Sequence, residues 1–131
     1  TIESQGANLC YDGGIVEVST DGGTTWTQMP NPALQTDPYD GTVNSCCSNP
    51  LAGLLAWCGD PQDWLNSVVD IQAYAGQTVQ FRFRLGSDSS VSRTDGWNID
   101  DVAVQSCVAD TMPFLADFET GDTSQWSAAF P

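Results

Sequence analysis

"TVQFRFRLG", residues 78–86, alternates at every position: Val79, Phe81, Phe83 and Leu85 fall on one face, Gln80, Arg82 and Arg84 on the other. A period of two over this length predicts a half-buried β-strand. The same period recurs on both sides of it. Ile15, Val16 and Val18, followed by "TTWTQM" (24–29), make two strands around Asp21-Gly22-Gly23, which is a hairpin signal. "SVVDIQAYAGQ" (67–77) adds a short strand and an Ala-Gly turn. "WNIDDVAVQS" (97–106) reads as a strand whose apolar phase slips, because Trp97 and Ile99 share one parity and Val102 and Val104 the other. That slip predicts a bulge at Asp100-Asp101. Residues 37–63, rich in Gly, Pro, Ser, Asn and Cys, read as a long loop pinned by cysteines. Nothing longer than a turn reads as helix, so the expected fold is all-β: an antiparallel two-sheet sandwich, or jelly roll.

A chain of 131 residues is about one domain, and folding at this size buries roughly two-thirds of the unfolded surface. Seventeen acids against three arginines, with no lysine and no histidine, leave a formal charge of −14, which argues against nucleic acid as a partner. The acids are mostly aspartates beside Gly, Asn, Ser or Thr, the chemistry of turns. Cations are the expected partners of clustered acids; a solvated, soluble surface is the plain alternative for any single one. Cys10, Cys46, Cys47, Cys58 and Cys107 occur without a CxxC pair or a histidine, so disulfides and an oxidising, extracellular compartment are expected rather than a zinc site. An odd count leaves one thiol over, and which two-bridge framework forms stays open at this point. No apolar run approaches the roughly 20 residues of a membrane span. Starting at Thr1, the chain reads as a processed or trimmed piece of a secreted protein.

"STDGGTTW" (19–26) resembles the Asp-box hairpin that recurs in sialidase-type propellers. There the Asp and Thr side chains satisfy turn backbone groups and the Trp packs beneath, so the motif's work is structural. A single copy cannot build a propeller. More widely, "YDGGIVEVSTDGGTTW", "CSNPLAGLLAWCGD", "AYAGQTVQFRFRLGSD" and "DGWNIDDVAVQSC", in that order, resemble the MAM-like jelly-roll modules of secreted bacterial proteins, including those appended to immune-inhibitor-A-type metallopeptidases. The resemblance covers residues 3–107. It implies a non-catalytic accessory or adhesive role, structural calcium, and a disulfide between Cys47 and Cys58. It also implies an opening strand ahead of "YDGG" that is mostly missing from this chain. The expected organisation is therefore a jelly roll over 1–107 lacking its opening strand, a tether over 108–113, and a C-terminal strand and tail over 114–131.

That tail, "FLADFETGDTSQW" (114–126), has the character of the missing strand, with Phe114, Ala116 and Phe118 on one face. Such a strand docks in its own sandwich or is donated to a second copy, and donation builds a polymer. Calcium takes six to eight hard oxygens. Asp100 and Asp101 at the bulge point to opposite sides and a docked tail brings Glu119 close, while the resemblance implies that Asp101 and Glu119 share the ion. Asp12 is a further candidate ligand. Catalysis is poorly supported: without histidine there is no Ser-His-Asp, Cys-His or HExxH arrangement, and Asp100 and Asp101, adjacent and exposed-looking, make a poor glycosidase pair. Trp26 and Trp97 are expected in the core, and Trp57 and Trp64 as an exposed platform for a glycan or protein ligand. Two function classes remain: a calcium-stabilised, self-assembling extracellular subunit, and a carbohydrate- or protein-binding accessory module of a secreted bacterial hydrolase or peptidase.

Overall fold

A computed structural model describes residues 2–90 and 96–106. The chain divides after Asn98 into two units, and every strand among the described residues belongs to the first. These strands are β1 (Ser4–Gly6), β2 (Leu9–Cys10), β3 (Gly13–Ser19), β4 (Thr27–Gln28), β5 (Gly41–Val43), β6 (Leu55–Ala56) and β7 (Gln80–Gly86). They form a four-stranded sheet, β1-β2-β5-β6, and a three-stranded sheet, β4-β3-β7. All neighbours are antiparallel except β2 and β5. Short 3-10 turns at Asn31–Ala33 and Gln72–Tyr74 are the only helical elements among the described residues. The fold is an all-β sandwich.

β3 is buried along its whole length. It is the central strand of its sheet, paired with β7 from Gly13↔Gly86 to Ser19↔Gln80 and with β4 through Glu17↔Gln28 and Val18↔Thr27. Alternation sends Val16 and Val18 to one face and Ile15 and Glu17 to the other. Ile15, Val16 and Val18 join Cys10, Met29, Val43, Leu51, Ala56 and Trp57 in the core. Burying each aliphatic side chain contributes roughly 1.5–3 kcal/mol. The two glycines that open β3 are required by close approach: a Cβ on Gly13 would lie 2.5 Å from the Ala56 Cβ of the other sheet, and one on Gly14 would lie 2.9 Å from the Trp97 ring.

The predicted hairpin is present, with its Asp-box hydrogen bonds. The Asp21 carboxylate accepts from the Ser19 hydroxyl at 2.8 Å, the Thr24 amide at 3.0 Å and the Thr25 hydroxyl at 2.6 Å. Half-buried Trp26 donates its Nε1–H to the Gly23 carbonyl at 2.9 Å.

Other expectations change. The 37–63 loop contains β5 and β6, and the 67–77 segment contributes only a bridge, Leu34↔Val69, before its 3-10 turn. On β7, Phe81 packs against the core, but Phe83 and Leu85 are 41% and 48% exposed. The opposite face, expected in solvent, is half covered because Arg82 and Arg84 fold over buried Glu17. Trp97 stacks near Trp57 and Phe83, with ring centroids 6.0 and 6.1 Å away. Residues 97–106 form no strand. The backbone leaves extended geometry where the phase slips, with Asp101 at φ 50°, and a strand exists only where a neighbour completes its ladder.

The expected Cys47–Cys58 disulfide does not form. Cys58 is bonded to Cys10, with Cα atoms 5.8 Å apart, and Cys46 is bonded to Cys47. Sheet order explains the exchange. Cys10 on β2 is completely buried, with its Sγ 3.8 Å from the Ala56 carbonyl on β6, two residues before Cys58, whereas Cys47 sits in the exposed loop that follows β5. Cys107 lies outside the described residues, as do Glu119, the 108–113 tether and the 114–131 strand with Phe114, Ala116 and Phe118.

Candidate functional site

The Gly13↔Gly86 pair ends the β3–β7 ladder, so the residues just before β3 and just after β7 emerge at the same end of the sheet. Asp12 and Asp88 are those residues. The Asp88 amide donates to the Asp12 carboxylate at 2.8 Å. Glu3 enters from β1's approach: its carbonyl accepts the amides of Tyr11 and Asp12 at 3.2 and 3.1 Å. Asn49, 4% exposed, clamps the two segments by donating its amide to the carbonyls of Tyr11 at 2.7 Å and Gly86 at 3.1 Å.

Carboxylate oxygens of Glu3, Asp12 and Asp88 lie within 4.8 Å of one another. Asp12 is only 6% exposed. One Glu3 oxygen, Oε2, is buried without a hydrogen-bond partner. A buried carboxylate oxygen with no donor is costly, and a hard cation would satisfy it. The donor set is all oxygen, as calcium requires; the described cysteines are all in disulfides and the chain has no histidine, so among the described residues no thiolate or imidazole competes.

Of the candidates read from sequence, Asp12 is in this cluster. Asp100 and Asp101 belong to the second unit, where the Asp101 amide donates to the Asp100 carboxylate at 2.8 Å. Glu3 and Asp88 were not anticipated. Asp88 is 76 residues from Asp12 in sequence, and only the β3–β7 register brings them together; Glu3, one of three glutamates among seventeen acids, was the available signal.

The tryptophan pair separates. Trp57 is 8% exposed, donates to the Asp37 carbonyl at 3.0 Å and meets Tyr39 edge-on at 4.7 Å, so it is a core residue and no platform. It is the residue that bridges β3 to the 55–58 segment, through Gly14. Trp64 is 71% exposed and adjoins exposed Leu65. The base of its loop is pinned: the Thr36 hydroxyl accepts from the Val68 amide at 3.0 Å and the Val68 carbonyl accepts from the Gln35 amide at 2.8 Å. Burial raises the Asp40 carboxyl above its ordinary value, partly offset by the Cys58 amide that it accepts.

No protein-family model and no solved structure matches the chain. One stretch is similar to Bacillopeptidase F of Bacillus subtilis (strain 168), with 41% identity over 46 residues. That stretch is 35% of this chain and 3% of the relative, so the chain spans a small fraction of that protein's length. No helix among the described residues is long and apolar enough to cross a membrane.

Proposed function

We propose that this chain is a non-catalytic accessory module of an extracellular bacterial hydrolase or peptidase, braced by calcium at Glu3, Asp12 and Asp88. The observation that carries the reading is the size of the shared piece: 46 residues at 41% identity, only 3% of a protein named as a peptidase, on a small disulfide-bonded β-sandwich. The Cys10–Cys58 bridge supports the extracellular placement in this reading. The absence of histidine supports a binding rather than a catalytic role. Trp64 is the contact we assign to an insoluble glycan or protein substrate, since its loop is held at the base and its ring is open.

The module reading is tested by incubating the chain with labelled casein, cellulose and chitin. Retention on one of these without release of fragments, weakened by Trp64→Ala, is expected; hydrolysis of any, or retention on none, would sink it. The calcium part is tested separately by thermal unfolding before and after chelation. Calcium at 100 times its Kd should stabilise the fold by about 2.7 kcal/mol, and an unchanged midpoint rejects the site.

A second reading has one observation in its favour. β7 pairs with β3 on one side and has no strand on the other among the described residues, and Phe83 and Leu85 on it are exposed. Such an edge accepts an added strand. A strand carrying Phe114, Ala116 and Phe118, donated by a second copy, would make the chain a self-assembling subunit. Sedimentation of the full chain against a 114–131 deletion decides: equal monomers at high concentration with calcium present exclude assembly.

A further inference from the structure

We infer that the Cys46–Cys47 disulfide is a thiol-exchange site whose state controls the loop that carries Asp88. A bridge between neighbours in sequence ties no distant segments together, so it adds little of the chain-entropy stabilisation expected of a long loop closure. Its effect is local. Cys47 and Ser48 both occupy the left-handed region, at φ 68° and 65°, a conformation that non-glycine residues adopt at a cost and keep only when something holds them there. The disulfide ring holds Cys47, and the Asn44 side chain accepts the Cys46 amide at 2.9 Å.

The held conformation presents the Cys47 carbonyl to the second loop, where it accepts the Ser89 amide at 3.1 Å. Ser89 follows Asp88, whose own amide donates to the Asp12 carboxylate at 2.8 Å. Two residues beyond Cys47, Asn49 reaches the carbonyls of Tyr11 and Gly86. The disulfide loop is thus joined by consecutive hydrogen bonds to the segments that carry two of the three clustered carboxylates.

Access distinguishes the two bridges. Cys46 and Cys47 are exposed, whereas Cys10 is completely buried. A thiolate needs a reachable sulfur. The co-reactant is a small dithiol: one of its thiolates attacks a sulfur of the pair, the Cys46–Cys47 bond breaks, and a mixed disulfide forms. Its second thiol resolves that intermediate and leaves as a cyclic disulfide. Cys46 and Cys47 gain two electrons and two protons, and the dithiol loses the same. The opened ring no longer holds Cys47 left-handed, the bond to Ser89 is lost, and the loop that carries Asp88 loses one of its anchors.

The test uses the whole oxidised chain and two readouts, only one of which rests on the calcium reading. Graded dithiothreitol followed by alkylation and peptide mapping gives the order of reduction, and hydrogen exchange at the Ser89 amide is followed alongside it. Cys46 and Cys47 should be alkylated before Cys10 and Cys58, with Ser89 exchange faster by about fivefold, the loss of one net hydrogen bond. Calcium affinity should fall by a similar factor. Cys46→Ser with Cys47→Ser should reproduce the reduced values and be indifferent to dithiol at concentrations that leave Cys10–Cys58 intact; the reduced wild type carries the test if that variant misfolds. Mapping that finds either cysteine bonded to a third, or Ser89 exchange unchanged on reduction, overturns the inference. Oxidised protein that binds no calcium defeats the cation site alone, and Ser89 exchange still decides this one.

Discussion

Glu17 and Glu3 are both carboxylates set into the body of the sandwich, and they are treated in opposite ways. Glu17, 5% exposed, receives two of the chain's three arginines: Arg82 Nε at 2.6 Å and Arg84 Nη1 at 3.3 Å. Arg82 also lies over the Trp26 ring, 4.4 Å from its centroid, so the guanidinium is fixed from two sides. Glu3 instead keeps a buried oxygen with no partner, beside two further acids. A carboxylate neutralised by its own chain is architecture. One that is left with an open oxygen among like charges is where the proposed cation would sit.

The largest expected effect comes from breaking the neutralised region. Arg82→Ala together with Arg84→Ala leaves Glu17 buried and unpaired, at a cost of about 3–5 kcal/mol. Both arginine side chains are more than a third exposed, at 38% and 36%, so solvent screening favours the lower end. The check is a urea midpoint at constant slope. Adding Glu17→Gln to the double variant should restore much of the loss. No restoration would mean that the arginines act through packing rather than charge.

Second is the covalent tie. Cys10→Ser with Cys58→Ser opens a 48-residue separation and should cost roughly 2–4 kcal/mol. The comparison sharpens if this loss leaves calcium binding intact, because Cys10 supplies no oxygen to the acidic cluster, although its strand pairs with Ser4 beside Glu3. Loss of both together would show that the two regions form one cooperative unit.

How much of this was legible in sequence depends on how local each feature is. The Asp-box hairpin was, because Ser19, Asp21, Thr25 and Trp26 meet within one turn. The strand character of β7 was legible too, and Val79 and Phe81 pack against the core as its apolar face requires; what alternation does not say is how far each face is covered, and Phe83 and Leu85 stay exposed while Glu17 across the ladder half covers the arginine face. β5 and β6 were hidden because strands of three and two residues carry no period. The Cys10–Cys58 pairing depends on which strands are neighbours. Asp12 was found as a lone candidate, while Asp88 needed the Gly13↔Gly86 register and Glu3 the pairing of β1 with β2 that brings its carbonyl to the Tyr11 and Asp12 amides.

Third, Glu3→Gln should act with the opposite sign to a loss at Glu17. Without calcium it removes a like charge from the cluster and should be neutral or stabilising by up to about 1 kcal/mol. With calcium the gain seen in the wild type should disappear. A Glu3→Gln chain that is less stable than wild type in chelator, and still responds to calcium, would place the cation elsewhere.

The smallest effect concerns a third way of holding a carboxylate, by hydrogen-bond donors alone. The Asp21 carboxyl is lowered to about 2, first by the Thr25 hydroxyl, then by the Thr25 amide and the Ser19 hydroxyl. A folded-state value below the unfolded one, about 3.9, means that the contribution to stability is complete above roughly pH 4 and is lost as pH falls toward 2. The stability gap between wild type and Asp21→Asn should therefore be constant from neutral pH to about 4 and then close. Asp21 is fully exposed, so the gap is small, and the sharper measurement is the carboxyl carbon's NMR titration, with a midpoint near 2. Because no charged side chain among the described residues pairs with this group, neither chelation nor Arg82→Ala should move that midpoint. A midpoint in the ordinary carboxylate range would mean that the hairpin's donors do not hold Asp21 in solution. A midpoint that shifts with calcium would join the hairpin to the cation site and end the separation between self-neutralised and open carboxylates.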